Sequence, residues 1–193
     1  TYSSSSSGNI RGKNRLTAGW RDTHIAIRGP AVMGFKKVFN ENWRKQTGTE
    51  FDLPAADDHP AKAGGNIVAI LDSAGGDEEE SAIFHAYMEA MHKARHRIWI
   101  TQAYFAPEDA FLAGLREAAA RGVDVRILVP GISDSNLVLN ASRARYAKLL
   151  KAGVKLYEST SSLLHAKTAV IDSMWSTIGS SNLDYRSFLH NDE

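Results

Sequence analysis

The chain has 193 residues, of which 43% are apolar and 23% charged, the balance of an ordinary globular protein. A net charge of +1 supplies no strong field favouring nucleic acid over other anions. The absence of cysteine excludes disulfides, thiolate metal sites and a cysteine nucleophile, and no run approaches the roughly twenty apolar residues of a membrane-spanning helix.

Residues 1–19 combine the serines Ser3 to Ser7 with Gly8, Asn9, Gly12 and Asn14, a flexible-loop composition. Residues 23–27 alternate as a strand closed by Gly29 and Pro30. Pro30 suits a helix N-terminus, and Val32, Phe35, Val38, Phe39 and Trp43 follow at helical spacing. Residues 46–65, with Gly48, Pro54, Pro60, Gly64 and Gly65, read as a linker. Strands are then predicted over 66–71, 97–101, 123–129, 154–157 and 165–171. Helices are predicted over 78–94, 109–121 and 136–152, the last closed by Gly153. This alternation predicts an α/β fold, with helices on both faces of a mixed, mostly parallel sheet. The pair 165–171 and 175–179 is too close for a crossover and predicts an antiparallel hairpin.

The chemistry concentrates in one run, H-x-K-x4-D-x6-G-S-x-N, formed by His165, Lys167, Asp172, Gly179, Ser180 and Asn182. Residues two apart on a strand share a face, so His165 and Lys167 project together. An imidazole can attack or shuttle a proton near neutral pH while the ammonium grips a phosphate oxygen. Asp172 belongs to the catalytic run, yet its odd spacing from His165 assigns it to the hairpin turn, where it hydrogen-bonds backbone. Gly179 permits close approach of a ligand, and Ser180 and Asn182 offer donors to the same phosphate as Lys167. Six matched positions at fixed spacing outweigh the bland reading of His165 as a satisfied core histidine.

This run resembles the signature of the phospholipase D superfamily. Residues 20–32, 100–107, 122–131 and 182–193 are similar to blocks of bacterial cardiolipin synthases. The resemblance implies an α-β-α sandwich built as two similar halves, each giving one such motif to a shared site. This chain holds one motif. On that view 1–55 is the tail of the first half, 56–65 a linker and 66–193 a truncated second half. The first motif would lie upstream.

The implied reaction is phosphatidyl transfer between two phosphatidylglycerols through a phosphohistidine, with no cofactor or metal and no nucleic-acid partner. The alternatives are a hydrolase of lipid or nucleic acid, or a non-catalytic half. In the implied mechanism His165 acts as general acid and then as base. Asp22 and Glu193 are supporting carboxylates, each expected to fix the ring of its own half's histidine. An anionic phospholipid, a glycerol-type acceptor and a bacterial membrane surface, cytoplasmic or peripheral, complete the implied partners. One departure stands out: the turn Asp172-Ser173-Met174 lacks the Gly or Asn usual after the Asp, which predicts mild strain.

Other candidates carry less. Tyr104 and Phe105 follow the strand over 97–101, at the edge where α/β sheets place ligands, and line a pocket or simply pack in the core. His92 and His96 have a metal-compatible spacing but no third ligand. Arg143, Arg145, Lys148 and Lys151 form either a headgroup-binding face or a solvated one.

Overall fold

The computed structural model describes residues 19–51, 64–73, 81–132, 136–184, 187–188 and 193. The serine-rich start, most of the predicted linker, the first residues of the helix expected over 78–94 and much of the block 182–193 lie outside these residues. The described residues up to His24 and from Ser73 onward form one compact unit, and 25–72 form another.

Among its described residues the larger unit has a five-stranded sheet, two two-stranded ladders and three helices. In chain order it contains β1 (Trp20–Arg21), α2 (Ala82–Lys93), β2 (Arg97–Thr101), β3 (Phe105–Ala106), α3 (Asp109–Ala120) and β4 (Asp124–Pro130). There follow α4 (Asn136–Lys151), β5 (Lys155–Ser159), β6 (Leu163–Leu164), β7 (Thr168–Ile171), β8 (Trp175–Ile178) and β9 (Leu183–Asp184). The main sheet has the order β5-β4-β2-β7-β8. β2, β4 and β5 run parallel, while β7 and β8 are antiparallel, as the short hairpin connection requires.

Local signals account for the helix ends. The Ser81 hydroxyl accepts the Phe84 N–H at 3.2 Å and caps α2. The Arg121 guanidinium closes the other end of α2, donating to the Met91 and His92 carbonyls at 2.8 and 3.2 Å. Gly153, at φ 89°, ends α4 as its position predicts, because a left-handed residue there costs glycine little.

Among the described residues of this unit, the helices cover one face of the sheet. Ile98, Ile100, Val125, Ile127, Val129, Ala169 and Ile171 form a buried core with Phe84, Met91, Phe111, Leu115 and Leu149 of the helices. The alternate residues Trp99, Tyr157, Val170 and Ile178 remain exposed. The expected α/β class holds, a mixed, mostly parallel sheet with packed helices. The chain steps from β2 to β4 to β5 in one direction, and right-handed crossovers then place α3 and α4 on the same face.

Two predicted strands are corrected. Residues 22–28 have no regular structure; the paired residues are Trp20 and Arg21, parallel to Leu163 and Leu164. The Asp22 carboxylate takes the Thr23 N–H at 2.8 Å, a side-chain bond that competes with a ladder. Residues 66–71 form no strand, because a strand exists only with a partner and none of the described residues pairs with them. They belong to the second unit with α1 (Val32–Thr47), which follows Pro30 as predicted and ends at Gly48. Gly34 of α1 admits Ile70, whose Cγ1 would lie 2.6 Å from any added Cβ. Phe39, Trp43 and Phe51 cluster beside it, with ring centroids 4.9 to 6.0 Å apart.

Candidate active site

Strand direction positions the histidine motif. Because β7 runs antiparallel to β2, with Thr101 opposite Thr168, its beginning stands at the carboxyl ends of β2 and β4. That is the edge where α/β sheets expose ligand sites. His165 and Lys167 occupy the three-residue link between β6 and β7 rather than a continuous strand. β8 returns to the same edge, where the Gly179 N–H donates to the Lys167 carbonyl at 3.3 Å.

The two motif side chains meet, as their spacing predicts. Lys167 Nζ lies 2.9 Å from His165 Nε2 and 2.7 Å from the His165 carbonyl. On its other side the imidazole is held by Asp22, whose Oδ2 is 2.9 Å from Nδ1. A carboxylate only accepts, so Nδ1 carries the proton and Nε2 presents its lone pair to the ammonium. The backbone helps as well: the His165 N–H donates to the Arg21 carbonyl at 2.8 Å. Trp20 completes the setting, its ring centroid 4.8 Å from that of the imidazole and tilted by 53°.

The charged groups of the cluster act on one another. Partial burial pulls the Lys167 ammonium below its usual range, and the carboxylates of Asp22 and Glu193 oppose that pull. Burial alone would raise the Asp22 carboxyl; the bonds from His165 and the Thr23 N–H outweigh it and hold Asp22 low. The sequence assigned each carboxylate to the histidine of its own half. The structure instead puts Asp22 on His165, across 143 positions, while Glu193 acts on Lys167. The Glu193 backbone exchanges two hydrogen bonds with Ser73, at 3.0 and 3.2 Å.

Asp172 is not at this site. It begins the turn at the opposite end of β7, five residues from Lys167 and so roughly 17 Å away along an extended chain. Its Oδ1 accepts the Arg97 and His96 N–H groups at 2.8 and 2.9 Å, and its Oδ2 accepts that of Arg95 at 2.8 Å. Partial burial would raise this carboxyl, but the three donors prevail and keep it below the usual range. Its place among the catalytic residues is thus corrected to a structural one. The backbone it bonds belongs to the entry of β2 rather than to its own turn. Asp172 and Ser173 both have positive φ, 51° and 57°, and the Met174 N–H closes the turn on the Ile171 carbonyl at 3.1 Å. That is the strain expected where neither Gly nor Asn is present.

The remaining candidates separate. Gly179 leaves open space where a Cβ would stand, Ser180 is exposed, and the side-chain oxygen of half-buried Asn182 has no protein partner among the described residues. Tyr104 lines a cleft beside His165, whereas Phe105 is buried in the core, because its alternate position on β3 turns it inward. Arg143 is engaged by Glu158 through two bonds of 2.8 Å. His92 and His96 do not share a helix, since α2 ends at Lys93, and no group of three metal-ligating side chains occurs among the described residues. No described helix is long and apolar enough to cross a membrane. Sequence reasoning missed Trp20; its place two residues before Asp22, in a block already matched to a family, was the available signal.

Comparison with known proteins shows the family and the fold. The family model described as "Cardiolipin synthase, PLD-like domain" matches residues 87–193. Cardiolipin synthase 2 of Bacillus cereus is 39% identical over 92% of this chain and 35% of its own length. Cardiolipin synthase A of Pseudomonas entomophila is 39% identical over 94% of this chain and 37% of its own length. The chain thus spans about a third of the curated relatives it matches. Among solved structures, a phospholipase D family member, Nuc from Salmonella typhimurium, shares the fold. Its TM-score is 0.52 and its identity 24%, over 63% of this chain and 77% of that one. The chain belongs to the cardiolipin synthase family of phospholipase D-like proteins.

Proposed function

We propose that this chain supplies one half-site of a phosphatidyltransferase that joins two phosphatidylglycerols into cardiolipin. The supporting observation is the line Asp22–His165–Lys167 at an open sheet edge, with both contacts 2.9 Å long. A substrate phosphate drawn to Lys167 takes over the ammonium that now bonds Nε2, with Ser180 and Asn182 as further donors. Nε2 is then available to exchange a proton with the alcohol oxygen.

In the first step a histidine of the opposing half-site attacks phosphorus. Nε2, released by Lys167, first takes a proton from solvent; as the bond from phosphorus to the glycerol oxygen breaks, His165 gives that proton to the oxygen. In the second step the hydroxyl of another phosphatidylglycerol passes its proton to His165 Nε2 as its oxygen bonds phosphorus and the nitrogen–phosphorus bond breaks. Asp22 compensates the ring's positive charge whenever both nitrogens carry protons. The chain contains one H-x-K-x4-D run, so on this reading the attacking histidine comes from elsewhere in a two-half site. A phospholipid substrate places the site at a membrane surface.

The test supplies the intact protein with labelled phosphatidylglycerol. Cardiolipin with equimolar glycerol is the expected outcome. Accumulation of phosphatidic acid alone would replace transfer by hydrolysis, with water as the acceptor.

A further inference from the structure

Three successive residues of one segment take hold of the motif histidine. The Arg21 carbonyl accepts the His165 N–H at 2.8 Å, and the Asp22 carboxylate holds Nδ1 at 2.9 Å. Trp20 lies against the ring itself, with centroids 4.8 Å apart and planes tilted by 53°. β1 brings this about: Trp20 and Arg21 pair in parallel with Leu163 and Leu164, which sets residues 20–22 alongside His165. Trp20 keeps 49% of its surface exposed and stands outside the buried core, so interior packing does not account for it. The aromatic ring it meets is the imidazole.

We infer that Trp20 is a positioning residue, which keeps the imidazole aligned while Lys167 turns from Nε2 to the substrate phosphate. The inference rests on the reading of His165 as the acid of the transferase. At rest the ring is held at both nitrogens, by Asp22 and by Lys167 at 2.9 Å each. Once phosphate takes the ammonium, the Nε2 contact is gone and one hydrogen bond remains, about which the ring can turn. His165 lies in the link between β6 and β7, outside any strand that would stiffen it. A flat aromatic ring against its side limits that turning and leaves Nε2 available. Proton transfer needs Nε2 within hydrogen-bond reach of the glycerol oxygen as the phosphorus–oxygen bond breaks, and a displacement of about 1 Å slows it severely.

The experiment follows a single turnover of the intact protein on vesicles of phosphatidylglycerol or of phosphatidyl-p-nitrophenol, two lipids that differ in their leaving group. The glycerol oxygen needs the Nε2 proton as its bond to phosphorus breaks, whereas nitrophenolate departs with the bonding electron pair and needs none. The ratio of glycerol release to nitrophenol release is expected to fall about tenfold in Trp20→Ala and to stay within about twofold in Trp20→Phe, which keeps a flat ring. A merely structural tryptophan would slow both lipids alike, so an unchanged ratio in Trp20→Ala overturns the inference. A fall in Trp20→Phe as deep as in Trp20→Ala overturns it too, since a flat ring would then not suffice. If Trp20→Ala does not fold, Trp20→Leu, which fills the position without a flat face, carries the same expectation and the same refutation. His165→Ala tests the reading beneath the inference, and its ratio should fall further still. An unchanged ratio there removes the acid role of His165, and the inference with it. A fallen ratio in His165→Ala beside an unchanged one in Trp20→Ala overturns the inference alone.

Discussion

Asp22 reaches His165 Nδ1 at 2.9 Å from a segment 143 residues earlier, so the motif's histidine is oriented by a residue outside the motif. Replacing Asp22 by Asn keeps the shape but removes the charge and leaves the tautomer undetermined. Product formation from labelled phosphatidylglycerol is expected to drop about 100-fold in Asp22→Asn, with the unfolding midpoint little changed. Activity near that of the unmodified protein would show that the carboxylate is dispensable.

Lys167→Met should abolish the grip on phosphate, lowering kcat/KM by at least about 100-fold. Lys167→Arg keeps the charge but not the compact ammonium that fits between His165 Nε2 and its carbonyl, so it should recover only part of the loss. Full rescue by arginine would argue for a purely electrostatic role.

Asp172→Asn should separate stability from turnover. The amide can replace one acceptor, but its NH₂ group then faces a backbone N–H of the 95–97 segment. A loss of about 1–3 kcal/mol is expected. With the site roughly 17 Å away, kcat and KM of the folded variant should stay near those of the unmodified protein. Steady-state kinetics beside thermal unfolding decides this.

Ser173→Gly should add about 0.5–1 kcal/mol. It removes the left-handed strain at φ 57° and loses part of that gain to the greater freedom of unfolded glycine. Denaturant unfolding would register the gain as a raised midpoint with an unchanged slope.

Acid should weaken the fold in a defined window. The Lys155 ammonium, aided by Trp99 and Arg126 against desolvation, holds Asp124 at about 2. Asp22 and Asp172 are also held below the usual carboxylate range. For each, the unfolded chain binds a proton first as pH falls, so the stabilisation is intact above about pH 4 and declines toward pH 2. Unfolding midpoints at pH 5, 4 and 3 should fall in that order, less steeply in a double Asp124→Asn, Asp172→Asn variant. The Lys167 shift has its consequence at the other extreme. Its lowered value means that the folded chain sheds this proton first as pH rises, so stability increases toward about pH 10.4 while the charge proposed to bind phosphate is lost.

The alternation of strands and helices was legible because β2, α3, β4 and α4 each carry a complete local pattern, and the two-residue spacing of His165 and Lys167 sufficed to pair them. The covered face was less so: it depends on the direction in which successive crossovers step, which no single segment encodes. Residues 23–27 alternate like a strand, but the side chain of Asp22 captured the Thr23 N–H. Tyr104 and Phe105 are adjacent and similar, yet backbone alternation sends one to the cleft and the other to the core. The Asp22–His165 bond needed the parallel pairing of Trp20–Arg21 with Leu163–Leu164, a contact between distant segments that local patterning does not reveal.

The three amide hydrogens gathered by Asp172 rivet the far tip of the hairpin to the root of the neighbouring strand. A cantilever clamped there has little swing of its own. On the transferase reading, any yielding that admits a lipid headgroup arises in the short run 165–167 and in the tryptophan beside it, and labelled-amide exchange should register motion in that run before the hairpin loosens.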